Sequence, residues 1–129
     1  MDKQLLIALQ KEKAHKILTQ ADEMVMLKHW DIAANRYYYA CYHMLQALFI
    51  DNDISTKSHD GCLTVLGQKF ILTEKIDRKF SRFFARMVQL RHKADYNSIA
   101  EVSQAEILEL APISKEFINE IEKLITIKD

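Results

Sequence analysis

Glycine and proline are nearly missing from this chain: two glycines and one proline occur in 129 residues. Hairpins, bulges and tight turns draw on both residue types, so their scarcity argues against an all-β or an α/β fold. Cysteine is equally sparse. Cys41 and Cys62 show no C-x-x-C spacing and are expected to be free thiols in a reducing cytosol. The five histidines, at 15, 29, 43, 59 and 92, form neither an H-E-x-x-H nor an H-x3-H pattern, and there is no glycine-rich phosphate loop. No metal or other cofactor is therefore expected. Excess charge is absent as well, since 18 Lys plus Arg balance 18 Asp plus Glu. A bulk nucleic-acid or membrane binder would carry an overall basic surplus. The most apolar run, YYYACYHMLQALFI, is interrupted by His43 and Gln46 and falls short of a membrane span. The apolar run in MDKQLLIALQKEK is too short for a signal peptide. The expectation is a single cytoplasmic, all-α domain over residues 1–129.

What the chain does have is helical periodicity. Leu6, Ile7, Leu18, Ala21, Met24 and Val25 recur at helical spacing, predicting a first helix from about Lys3 to Lys28. Asp31 is the expected N-cap of a second helix running to about Ile50. The polar loop DNDISTKS leads to Ser58, which can cap a shorter helix, HDGCLTVLGQKF. A fourth helix is expected to end near Asp95. Ser103 and Glu106 form an S-x-x-E capping box for a last helix reaching about Ile127, with Pro112 expected to kink or interrupt it. Met24, Met26, Met44 and Met87 sit at core spacings. Connections this short predict an antiparallel up-and-down bundle of four to five helices.

Charge balances globally but not locally. From Glu74 to Asp95 seven basic residues face three acidic ones, and from Glu101 to Asp129 three basic residues face seven acidic ones. Pairing of the last two helices is the plain reading, and a phosphate-facing basic surface is the sharper one. Within the fourth helix, Arg91 falls in line with Phe84, Met87 and Val88, on the arc that otherwise builds the core. Burying a guanidinium alone is very costly, so it must meet either Asp95, one turn on, or an anion in a cleft. The second helix is apolar all round, with Arg36 and His43 set into it. Either other helices wrap it, or one face is a dimer interface that Ala40 and Ala47 allow to close tightly. His59 follows Ser58 at a helix N-terminus, with Lys57 beside it, where free amides could bind an anion.

Three stretches taken together resemble a known family. NRYYYACYHMLQAL is similar to the N-R-x-Y-Y-A-x-[FY]-H signature of HEPN (higher eukaryotes and prokaryotes nucleotide-binding) domains, TKSHDG to their K-[ST]-H-x-G, and RHKADY to their R-x-x-A-D-Y. The resemblance covers nearly the whole chain and is nearest to the small stand-alone prokaryotic members. It implies a helical bundle that forms a homodimer and, in many members, pairs with a separate minimal nucleotidyltransferase in a toxin–antitoxin-like module. Active members are metal-independent ribonucleases with an Arg, then Asn, Asp or His, then a His five to seven residues after the Arg. Arg91 and His92 match the first half, but Tyr96, Asn97 and Ser98 stand where the second histidine would fall. The implied site for a nucleotide or RNA phosphate comprises Arg36, His43, Lys57, His59, Arg91, Asp95 and Tyr96. A ribonuclease using Arg91 and His92, and a purely structural dimerisation bundle, are the alternatives.

Overall fold

Five α-helices make up most of the described residues, which contain no strand. The computed structural model describes residues 2–96 and 101–125, leaving out the side chains of residues 94–96. The helices are α1 (Lys3–Met26), α2 (Trp30–Asp51), α3 (His59–Val65), α4 (Lys79–Tyr96) and α5 (Gln104–Lys123), with a π-helical turn, Leu66–Ile71, continuing α3. The fold is the expected all-α bundle.

A chain with two glycines must turn by other means, and it does so with a repeated device. Lys28, Asp53 and Glu74 each adopt a positive φ, of 62°, 57° and 61°. Around Lys28 the His29 amide donates to Met24 O and the Lys28 amide to Val25 O, the two bonds of a Schellman turn. Ile54 to Phe49 and Asp53 to Ile50 repeat the pattern after α2, as do Lys75 to Phe70 and Glu74 to Ile71 after the π turn. Both glycines lie inside helical segments instead. Gly61 packs closely there: its amide donates to the capping Ser58 Oγ at 2.9 Å, and a Cβ would crowd that oxygen at 3.1 Å.

Helix α2 is the hub. Ala33, Ala34, Tyr37, Tyr38, Cys41, Met44, Leu45, Leu48 and Phe49 are buried, and it packs against α1, α4 and α5. Ala40 and Ala47 are fully buried within the single chain, so they serve helix packing inside the subunit and not a close approach between copies. The aromatic core continues through Phe80, Phe83 and Phe84 of α4, whose rings lie 5.4 to 5.8 Å from Phe117 of α5. Each such side chain contributes about 1.5–3 kcal/mol on burial.

Several local expectations need correction. Asp31 does not cap α2; its carboxylate accepts from the Val102 amide at 3.1 Å, tying the start of α2 to the approach to α5. Pro112 lies within α5 without interrupting it. The site faces solvent, so water can satisfy the Leu108 carbonyl that loses its amide partner. Met26 is 82% exposed and belongs to no core. Helix α4 begins at Lys79, because the π turn and the Glu74 reversal occupy the preceding residues. By contrast, the Ser103–Glu106 capping box forms as expected.

The charge asymmetry of the last helices resolves into a seam. Lys79–Glu116, Arg86–Glu109 and Lys93–Glu106 pair α4 with α5 in antiparallel order. Exposed pairs of this kind contribute little individually, but they fix register. A second tie joins three helices. Tyr37 of α2 donates to Asp22 of α1 at 2.6 Å, and Asp22 also meets Lys115 of α5 at 3.2 Å.

Candidate functional site

The middle of α2 presents tyrosines and a histidine at helical spacing: Tyr38 and Tyr42, then Tyr39 and His43, one turn apart. The start of α3 and the C-terminal half of α4 close on this face. His59 packs on all three tyrosines, with ring centroids 5.3 Å from Tyr38, 6.1 Å from Tyr39 and 5.2 Å from Tyr42. His43 lies 5.3 Å from Tyr42 and 6.4 Å from Tyr39. The Arg91 guanidinium reaches over from α4, 5.7 Å from the centroids of both Tyr38 and Tyr39. Arg36 approaches Tyr39 as well, at 5.8 Å, with its Nε and Nη2 donating to Asn35 Oδ1.

Four of the residues singled out from sequence, Arg36, His43, His59 and Arg91, therefore meet on one aromatic surface. Contacts of a cation with a ring quadrupole offset part of the cost of drawing each guanidinium out of water. Arg91 itself is half-buried, in keeping with its place in line with the core residues of α4. Lys57 is exposed in the loop before α3, and His92 is exposed on α4. The side chains of Asp95 and Tyr96 lie outside the described residues, as does the proposed Arg91–Asp95 contact.

Burial and positive neighbours set the protonation of this face. Desolvation pushes the Tyr38 phenol up, helped by Cys62, Tyr39 and Tyr42 and opposed by Arg91, so it stays protonated. Its hydroxyl is hydrogen-bonded to Nδ1 of His59. His59 is pulled below its ordinary value by burial and then by Arg91. His43 is lowered to about 4 by burial, with Lys13 and Arg36 adding, and it hydrogen-bonds through Nδ1 to Gln10 Oε1 at 2.7 Å. Both imidazoles are neutral at neutral pH.

Two features of this surface escaped the sequence reading. The tyrosines were legible only as apolar positions, although their i, i+4 spacing with His43 was available as a signal. Helix α1 also takes part: Gln10 holds His43, and Lys13 and Lys16 line a groove of about 470 Å³ together with Leu9, Ile17 and Arg36. Beneath the loop, Gln46 Nε2 donates to Thr56 Oγ1 at 3.3 Å and to Cys62 Sγ at 3.2 Å, fixing the segment that carries His59. No cluster of three or more His, Cys, Asp or Glu side chains that could hold a metal ion occurs among the described residues. None of the described helices is long and apolar enough to cross a membrane.

The chain as a whole is similar to known proteins. A family model described as HEPN domain matches residues 8–124. Over 96% of its length the chain is 27% identical to a Thermotoga maritima protein named "UPF0332 protein", covering 94% of that relative. A Methanocaldococcus jannaschii protein named "Putative toxin MJ0142" is 27% identical over 92% of this chain and 80% of its own. A second from that organism, "Putative toxin MJ0605", is 30% identical over 67% of this chain and 65% of its own.

Proposed function

The chain belongs to the HEPN domain family, and from that premise we propose that it is a toxin-type HEPN protein that holds a nucleotide or RNA phosphate on its tyrosine–histidine–arginine face. One observation carries the reading. The half-buried guanidinium of Arg91 and the imidazole of His59 share the rings of Tyr38 and Tyr39. A guanidinium, a neutral imidazole and flat aromatic rings are the groups with which proteins bind phosphate and stack bases. The names of the Methanocaldococcus relatives support a toxin–antitoxin context, in which a minimal nucleotidyltransferase is the expected partner. A homodimer is part of the same reading. Leu5, Leu6 and Leu9 expose an apolar stretch of α1 that a second copy would cover.

The test is binding of a fluorescent single-stranded oligoribonucleotide by the unmutated protein and by Arg91→Met, which keeps the packing volume and removes the charge. A charged hydrogen bond to phosphate is worth about 1.5–3 kcal/mol, so the variant should bind at least about tenfold more weakly. Equal binding would make Arg91 a structural residue and end this reading. Co-expression with a nucleotidyltransferase and the mass of the protein in solution test the partner and the dimer separately.

A further inference from the structure

Resting on the reading above, we propose that Tyr38 and Gln10 lock His59 and His43 in opposite tautomers, giving the face one donor and one acceptor that together select a ribonucleotide. A ring proton is assigned by the hydrogen bonds around it. For His59 the partner is the Tyr38 hydroxyl. That hydroxyl has no other hydrogen-bond partner among the described residues, so accepting from the imidazole would leave its own proton unbonded in the core. Tyr38 therefore donates, Nδ1 of His59 accepts, and the ring proton sits on Nε2. For His43 the partner is Gln10 Oε1, an oxygen that can only accept. Here Nδ1 carries the proton and Nε2 keeps its lone pair.

Neither Nε2 has a hydrogen-bond partner among the described residues, and both rings are half-buried on the same Tyr42 ring. His59 thus offers an N–H beside the Arg91 charge, suited to a phosphate oxygen. His43 offers a lone pair, which repels an anion and needs a donor such as a hydroxyl. The group that accompanies phosphate in every ribonucleotide, whatever its base, is the ribose hydroxyl. Burial keeps both imidazoles neutral near pH 7, as this division of roles requires. Tyr38 and Gln10 are positioning residues in this scheme, since they act only through the histidines.

Nitrogen-15 NMR of the unmutated protein reads the tautomers directly, and should show the proton on Nε2 of His59 and on Nδ1 of His43. Tyr38→Phe should release His59 to a tautomer mixture and leave the His43 spectrum unchanged. Gln10→Leu should do the reverse. In binding, a single-stranded oligoadenylate should be preferred over its 2′-deoxy counterpart by about threefold to tenfold, the worth of one neutral hydrogen bond. Gln10→Leu should remove that preference, and Tyr38→Phe should weaken both ligands alike. Reversed tautomers, or a His59 spectrum unmoved by Tyr38→Phe, overturn the proposal. If Arg91→Met weakens binding but the two oligonucleotides bind equally, this inference fails while the phosphate site stands. If neither oligonucleotide binds, both readings fall.

Discussion

Acidification should remove a definable part of the fold's stability through one side chain, His43. Its ring lies between Tyr39 and Tyr42, its Nδ1–H is donated to Gln10 of α1, and Lys13 and Arg36 stand near it. Burial first, and those two cations second, lower its pKa from 6.5 to about 4. In the unfolded chain the imidazole regains its ordinary value. Between the two values the unfolded chain binds more protons than the folded one. Stability is therefore level above about pH 6.5 and falls as pH drops toward about 4. At about 1.4 kcal/mol per pKa unit the whole shift sets a ceiling of about 3 kcal/mol. Because the ring is half open to water, screening reduces this to about 1–2 kcal/mol. Urea unfolding of the unmutated protein and of His43→Gln at about pH 7 and about pH 4.5 measures it. Carboxylates and His59 titrate in both proteins, so the difference between them isolates His43. On acidification the unmutated protein should lose about 1–2 kcal/mol more than the variant, or about 4–7 °C in melting temperature. Equal losses in the two proteins would show that His43 is not held neutral by its surroundings, and would remove it as an acceptor.

Other consequences are open to direct measurement. Glu74→Gly should stabilise the protein by up to about 1 kcal/mol in urea unfolding, because glycine escapes the clash a side chain meets at φ 61°; a loss of stability would contradict the left-handed turn. Tyr37→Phe should cost about 1 kcal/mol in the same assay by removing the bond to Asp22, while RNA binding stays unchanged. Arg78 and Arg82 line a groove of about 810 Å³ with Leu63 and Leu72 and have no carboxylate partner among the described residues. Replacing both with Gln should therefore reduce the salt dependence of RNA binding by up to about two counterions. A slope that does not move excludes that groove from the RNA path.

Much of the site was readable in advance, and its limits follow from where each signal resides. Arg91 stood out because a charge on an apolar arc violates a local pattern. Arg36 and His43 stood out for the same reason on α2, and His59 because a capped helix start is itself a local motif. The tyrosines did not stand out, since an aromatic at a core position violates nothing. Gln10 and Lys13 looked like ordinary surface residues of α1, and only the register of α1 against α2 makes them neighbours of His43. His92, adjacent to Arg91 in sequence, is exposed on α4 instead.

Periodicity, the Ser103–Glu106 capping box and the shortage of glycine were enough to determine an all-α bundle, because backbone hydrogen bonds and caps are settled within a few residues. They were not enough to say that α2 would be enclosed by its own chain, burying Ala40 and Ala47. Nor could they say that Lys28, Asp53 and Glu74 would take the left-handed turns. Those choices, and the meeting of Arg91 with Tyr38, Tyr39 and His59, belong to the packed structure. A side chain's partner across a helix interface is fixed by crossing geometry and register, which arise only when distant segments dock.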